Sequence, residues 1–336
     1  MAPAATADIP IHSVEGITGS KQTSYPVPLK LSGALDGLSW EDTTPVIGRE
    51  FVGVNIVDDI LNAPNAEERL RDLAITISQR GVVFFRAQDN LTDGLQKQFI
   101  QALGVHSGKP STSTLHVHPI LNGTNEFGVA GDNQISTISS LARKKIFAES
   151  GDAQRNKRRY DSAQWHSDIQ FEPCPADYTS LRLTELPETG GDTLWASGYE
   201  LYDRFSRAYQ VFFEGLTATF TGDGFIAAAE RDPENVKIYE EARGSPLHVG
   251  KGLTTVHPIV RTNPVTGWKS LFAVGPFPKV INELEAEESR ELLNKFSRTV
   301  AESHDLQVRF KWRNKNDIAI WDNRSAFHTA TFDYQG

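Results

Sequence analysis

Apolar residues recur at helical spacing in some stretches of the chain and in alternating or unbroken runs in others, a pattern that predicts helices packed against sheet. Between Ala66 and Ile77, the side chains of Leu70, Leu73, Ala74 and Ile77 share one helical face. Asn65 followed by Glu68 resembles a capping box at the start of this helix, and Gly81 is a natural stop. Val82-Val83-Phe84-Phe85 follows at once, apolar without a break, as in a strand buried on both faces. A second helix is predicted near Leu95 to Leu103, with Leu95, Phe99 and Leu103 in line and Gly104 ending it. Ser197 with Glu200 reads as a capping box ahead of Leu201 and Phe205, and Glu287 to Val300 carries Leu292, Phe296 and Val300 on one stripe. Strands are predicted at Leu181 to Leu183, in the alternation from Leu306 to Trp312, and at Ile318 to Trp321.

Residues 1–45, rich in Pro, Ser, Thr and Gly, read as an irregular N-terminal arm. No repeat and no Gly/Ser-rich linker divides the remainder, so 46–336 reads as a single domain, with its β-rich part from about 160 onward. Residues 137–164 interrupt it with Arg143-Lys144-Lys145 and Arg155, Lys157, Arg158 and Arg159, a charged surface loop or a lid over a site.

Composition narrows the function classes. With 39% hydrophobic and 23% charged residues the chain is an ordinary globular protein, and a net charge of −9 gives no footprint for nucleic acid. A small-molecule substrate fits better, and a homo-oligomer is compatible. The lone Cys174 excludes an intramolecular disulfide and a multi-cysteine zinc site. No signal-peptide pattern is visible and no window reaches the roughly 18 apolar residues of a membrane span, so the expected setting is cytoplasmic.

Candidate chemistry centres on Trp165-His166-Ser167-Asp168-Ile169-Gln170-Phe171. In an extended strand His166 and Asp168 project to one side and Ile169 and Phe171 to the other. One imidazole and one carboxylate, joined by a distant second imidazole, form the facial triad that leaves three octahedral positions of Fe(II) open. The spacing alone also suits a hydrogen-bonded His-Asp pair at a strand end. His116 and His118 share strand-like spacing without an adjacent carboxylate; His12, His106, His248 and His304 sit in unremarkable contexts, and His257 beside Pro258 reads as structural. His328 falls just past the strand ending at Trp321, where a ligand can be presented.

Taken together, Trp165 to Asp168, Thr189-Gly190-Gly191-Asp192-Thr193-Leu194-Trp195, His257 to Gly267, and Asn316 to Arg324 leading to His328 resemble the taurine dioxygenase and 2,4-dichlorophenoxyacetate dioxygenase family, in that family's order and over roughly residues 80–336. The resemblance implies a mainly β fold, a double-stranded β-helix or jelly roll with flanking helices. It implies an Fe(II)- and 2-oxoglutarate-dependent dioxygenase using O2, with His166, Asp168 and His328 as iron ligands. It places Thr193 on the distal carboxylate of 2-oxoglutarate, in a stretch where Gly190-Gly191 also suits a turn. His118 matches a substrate-binding histidine and Phe277 an aromatic wall.

Two departures qualify the expectation. The taurine branch carries a tyrosine and an asparagine where this chain has Leu121 and Ser162. The arginine that the family pairs with 2-oxoglutarate lies beyond Gly336 by the same correspondence, so the native polypeptide is expected to continue with a strand bearing it. The expected reaction is oxidation of a C–H bond in a small, sulfonate-like anion, with release of succinate and CO2. Alternatives are a biosynthetic oxidase acting on an amino acid or related metabolite, a catalytically silent binding protein, and a zinc hydrolase built on the same triad.

Overall fold

The computed structural model describes residues 28–122, 128–129, 131–138, 164–331 and 333. His12, Ser162 and nearly all of the charged 137–164 segment lie outside these residues, as does most of the predicted arm.

In chain order the elements are β1 (Trp40–Asp42), β2 (Arg49–Phe51), a π-helical turn (Ile56–Leu61), α1 (Ala66–Arg80), β3 (Val82–Phe85), α2 (Asp93–His106), β4 (Gly128–Val129), β5 (Asp132–Ser136), β6 (Tyr178–Leu183) and β7 (Thr193–Ser197). There follow α3 (Gly198–Asp203), α4 (Arg207–Glu214), β8 (Thr217–Thr221), α5 (Asp223–Arg231), β9 (Thr254–Pro258), β10 (Val260–Thr262), β11 (Lys269–Leu271), β12 (Pro278–Ile281), α6 (Ala286–Glu302), β13 (Gln307–Phe310), β14 (Asp317–Asp322) and β15 (Ala326–Ala330).

The strands form a five-stranded sheet in the order β1-β2-β3-β14-β6, three-stranded sheets β13-β7-β15 and β12-β8-β9, and the pairs β10-β11 and β4-β5. Among these pairings only β2 with β3 is parallel.

Burial on both faces, expected of β3, is what the packing shows. Val83 and Phe85 face one core with Ile318 and Ile320 of β14, and the α1 stripe of Leu70, Leu73, Ala74 and Ile77 closes it. Val82 and Phe84 face the opposite core with Ala319 and Trp321, where Trp195, Val308 and Phe310 cover them. The period-2 alternation of side chains thus splits an unbroken apolar run between two layers. Phe84 stacks on Phe310 with ring centroids 4.1 Å apart, which ties the large sheet to β13. A third core lies under α6, whose Leu292, Phe296 and Val300 pack with Phe213, Phe220 and Phe272.

Helix ends depart from the sequence reading. Asn65 makes no side-chain cap bond, since its backbone lies outside the extended region that aims a cap at the first turn. Helix α2 runs past Gly104 to His106 and ends at Ser107, whose N–H and hydroxyl satisfy the Gly104 carbonyl. Ser197 does cap α3, accepting the Glu200 N–H at 3.2 Å.

Candidate metal centre

The segment carrying His166 is not a strand. A single antiparallel bridge joins His166 to His328 of β15, the His166 N–H donating to the His328 carbonyl at 3.1 Å and the His328 N–H to the His166 carbonyl at 2.8 Å. The chain then turns through Asp168 to Phe171, with Ile169 at φ 47 and the Glu172 N–H closing onto the Ile169 carbonyl. The expected alternation therefore survives only as far as Asp168, which is enough to keep its carboxylate beside the His166 ring.

The bridge brings the two imidazoles to 4.3 Å between centroids, and Asp168 Oδ1 lies 3.6 Å from Nε2 of each. One ligating atom from each of His166, Asp168 and His328 lies within 4.8 Å of the others, close enough to share one ion. The donor chemistry fits a metal. His166 Nδ1 sits 2.8 Å from the Gln164 carbonyl, so this nitrogen carries the proton and the Nε2 lone pair faces the centre. Burial pushes the His328 imidazole down to about 4, against the opposing pull of the Asp168 carboxylate, so the ring is neutral, the form able to hold a metal.

The strands that present these groups are locked from behind. Fully buried Asp322, at the end of β14, accepts hydrogen bonds from Ser78 at 2.6 Å, Asn263 at 2.9 Å and the Arg324 guanidinium at 2.8 Å. Burial raises the Asp322 carboxyl, but Arg324 and these bonds outweigh it and hold the group below its ordinary value. Asn323 follows, and its side-chain amide pairs with the Asp168 backbone, accepting the N–H at 2.9 Å and donating to the carbonyl at 2.8 Å.

The other predicted residues do not join the triad. Thr193 is buried at the start of β7, where its hydroxyl accepts the Trp312 indole N–H at 3.1 Å and keeps its own proton to donate. Phe277 lies edge-on to His166 at 6.2 Å. Gly275, at φ 101, makes that approach feasible, because a Cβ there would meet the Trp165 carbonyl at 2.3 Å. Phe277 continues through Phe171 and Phe225 to His118, whose ring stands 5.0 Å from Phe225.

Comparison with known proteins decides the family. A model described as taurine catabolism dioxygenase TauD, TfdA family, matches residues 39–336. The chain belongs to the TauD/TfdA family. The alpha-ketoglutarate-dependent dioxygenase btcD of Neocamarosporium betae is 48% identical to it, covering 92% of this chain and 90% of that protein. An alpha-ketoglutarate-dependent sulfonate dioxygenase of Saccharomyces cerevisiae is 31% identical, covering 87% of this chain and 62% of that one. A crystal structure of a taurine dioxygenase from Burkholderia xenovorans superposes with a TM-score of 0.60 at 23% identity, covering 88% of this chain and 85% of that one, and shows the shared fold. This TauD/TfdA chain is thus an Fe(II)- and 2-oxoglutarate-dependent dioxygenase, alpha-ketoglutarate being another name for 2-oxoglutarate, with O2 as the second co-substrate. Among the described residues no helix is long and apolar enough to cross a membrane.

The TauD/TfdA chain also holds a second cluster that sequence reading passed over. His116, Glu172 and His248 place ligating atoms within 4.8 Å of one another. Their hydrogen bonds identify them instead as a buried polar truss. Arg243, with no exposed surface, forks onto Glu172 at 2.6 and 3.1 Å, and a guanidinium there opposes a cation. His248 Nε2 accepts the Cys174 N–H at 3.0 Å while Nδ1 lies 3.1 Å from the Arg243 carbonyl, so both ring nitrogens are occupied. Burial raises the Glu172 carboxyl, but hydrogen bonds from His116 and Arg243 overcome this and hold it at about 2. His257 is structural as expected, with Nε2 3.0 Å from the Glu172 carbonyl. Glu172 and Arg243 are far apart in sequence and carry no motif that would have paired them.

Proposed function

We propose that His166, Asp168 and His328 are the iron ligands of this dioxygenase, and that it oxidises a C–H bond of a small metabolite held against His118 and Phe277. The convergence of two imidazoles and one carboxylate within 4.8 Å carries the reading. When bound there, Fe(II) with 2-oxoglutarate and O2 supplies the oxidising power, 2-oxoglutarate leaving as succinate and CO2. The protein's own part is orientation. His166 keeps its Nε2 lone pair toward the centre, His328 brings its own Nε2 to the same point, Thr193 offers a hydroxyl proton to the distal carboxylate of 2-oxoglutarate, and the Phe277, Phe171 and Phe225 rings form an apolar wall.

On this reading the antiparallel sheets carrying β7, β13, β14 and β15 belong to a double-stranded β-helix, a jelly roll wrapped by the helices, and residues 46–336 make one domain. The likeness to the taurine dioxygenase fold supports it.

For the substrate, the surroundings of His118 favour a metabolite with an apolar body. Its ring packs on Phe225, which belongs to a cluster with Ile120, Ala228, Val236 and Leu121. Burial drives the imidazole down to about 3, so it is a neutral hydrogen-bond donor. A biosynthetic oxidase is the reading this supports. A sulfonate substrate is the second reading, motivated by the yeast relative at 31% identity. Succinate formation measured with Fe(II), 2-oxoglutarate and a panel of amino acids, aromatic metabolites and alkyl sulfonates separates the two. Turnover confined to sulfonates overturns the first reading, and binding of Mn(II) undiminished by His328→Ala overturns the ligand assignment.

A further inference from the structure

We infer that Asn323 is the positioning residue for Asp168, setting the aim of the carboxylate by gripping its backbone rather than its side chain. The inference rests on the assignment of Asp168 as a metal ligand and adds the residue that directs it.

Asp168 needs an external guide. Among the described residues its carboxylate faces His166 and His328, each at 3.6 Å, and no hydrogen bond to the carboxylate fixes its direction. The backbone on its C-terminal side does not guide it either, because Ile169 sits at φ 47, a left-handed conformation that a β-branched side chain adopts only under constraint. Left to itself, that peptide would relax to extended geometry and swing the carboxylate away from the two imidazoles.

The constraint comes from Asn323. Its Oδ1 accepts the Asp168 N–H at 2.9 Å, and its Nδ2 donates to the Asp168 carbonyl at 2.8 Å. An amide side chain thereby makes the two-point contact that a neighbouring strand would make, at the place where the His166–His328 bridge stops. Asn323 also offers its backbone carbonyl to the Ser167 hydroxyl, and its N–H donates to the Asp177 carbonyl at 2.8 Å. Each of its polar groups is therefore committed, and none of its surface is exposed. The turn that carries it is rigid because Asp322 is held by Ser78, Asn263 and Arg324 together. Asn323 opens the short turn between β14 and β15, and His328 lies in β15 just beyond it, so a single rigid unit supplies one imidazole and orients the carboxylate.

Groups that orient metal ligands typically change affinity about 10- to 100-fold when removed. The test is Mn(II) titration of the full-length, metal-stripped protein, followed by amide hydrogen exchange without metal. Asn323→Ala is expected to weaken Mn(II) binding by about that factor. It should also speed exchange of the Asp168 N–H while the His328 N–H, bonded to the His166 carbonyl at 2.8 Å, stays protected. A general packing role would loosen both amides alike. Asn323→Ser keeps a small uncharged polar side chain in the same space, so it is expected to fold where the alanine variant does not and to show a loss no larger than that of alanine, whereas Asn323→Asp would set a carboxylate oxygen against the Asp168 carbonyl and lose more. Asp168→Ala separates the two claims: wild-type Mn(II) affinity in that variant refutes the ligand assignment. Affinity lost in Asp168→Ala but unchanged in the folded Asn323 variants refutes the positioning role alone.

Discussion

Leu121 donates its backbone N–H to Nδ1 of His118 at 2.9 Å, and Ile120 does the same at 3.1 Å. With that nitrogen accepting twice, the proton must reside on Nε2, and the ring can offer a ligand one N–H and no charge. The position where the taurine branch has a polar side chain thus contributes through its main chain.

His118→Ala is expected to raise KM for the substrate about tenfold, the scale of one buried hydrogen bond plus lost packing, with little change in metal affinity. Steady-state kinetics beside Mn(II) titration checks this. A matching loss in metal binding would place His118 at the metal rather than at the substrate.

The metal-free protein should lose stability as pH falls from 6.5 to 5. His328 and His257 are each lowered to about 4 and His118 to about 3, all by burial, so in this window the unfolded chain takes up protons that the folded one refuses. Stability gained above the unfolded value near 6.5 is therefore surrendered on acidification, on the order of 1–2 kcal/mol per imidazole. Urea midpoints at the two pH values test it; a midpoint that rises at pH 5 contradicts the sign.

Gly244→Ala should uncouple the reaction. Gly244 lies at φ 84, and a Cβ there would meet the Leu115 carbonyl at 2.5 Å, forcing apart two segments joined by the Thr114 N–H to the Gly244 carbonyl at 2.7 Å. The segment that shifts carries His116 and His118, so 2-oxoglutarate should be consumed with less substrate oxidised. The ratio of succinate to product is expected to rise severalfold, with stability down by about 1–3 kcal/mol.

Arg243→Met should cost about 3–5 kcal/mol by stranding buried Glu172, whereas replacing both partners with apolar residues should cost less. His116→Ala is expected to leave Mn(II) stoichiometry and affinity unaltered. A drop in bound Mn(II) in that variant would revive the His116–Glu172–His248 cluster as a second metal site.

What the sequence disclosed follows from how local each signal is. The unbroken run of β3 and the stripe of α1 report burial directly, and the packing agrees. His166 and Asp168 were legible because residues two apart stay neighbours even when the strand fails. The turn at Ile169 was not, because its left-handed backbone is imposed by Asn323 from a distant part of the chain, and Ile has no local preference for it. Glu172 with Arg243 was illegible for the same reason: a buried ion pair between distant residues leaves no periodicity behind. Asn65 failed as a cap because composition suggested a bond that only backbone geometry could make.

Pairing of β15 with β7 sets His328 opposite Trp195 and Ala330 opposite Thr193. Because neighbouring side chains on a strand face opposite ways, slippage of that ladder by one residue would turn His328 into the wall and bring Phe327 or Thr329 to its place. The proposed metal centre therefore has a phase as well as a composition. Single-residue insertions or deletions between Ser325 and His328 should abolish it even where all three side chains are retained, while substitution of exposed Ala330 at the end of the same strand should be tolerated.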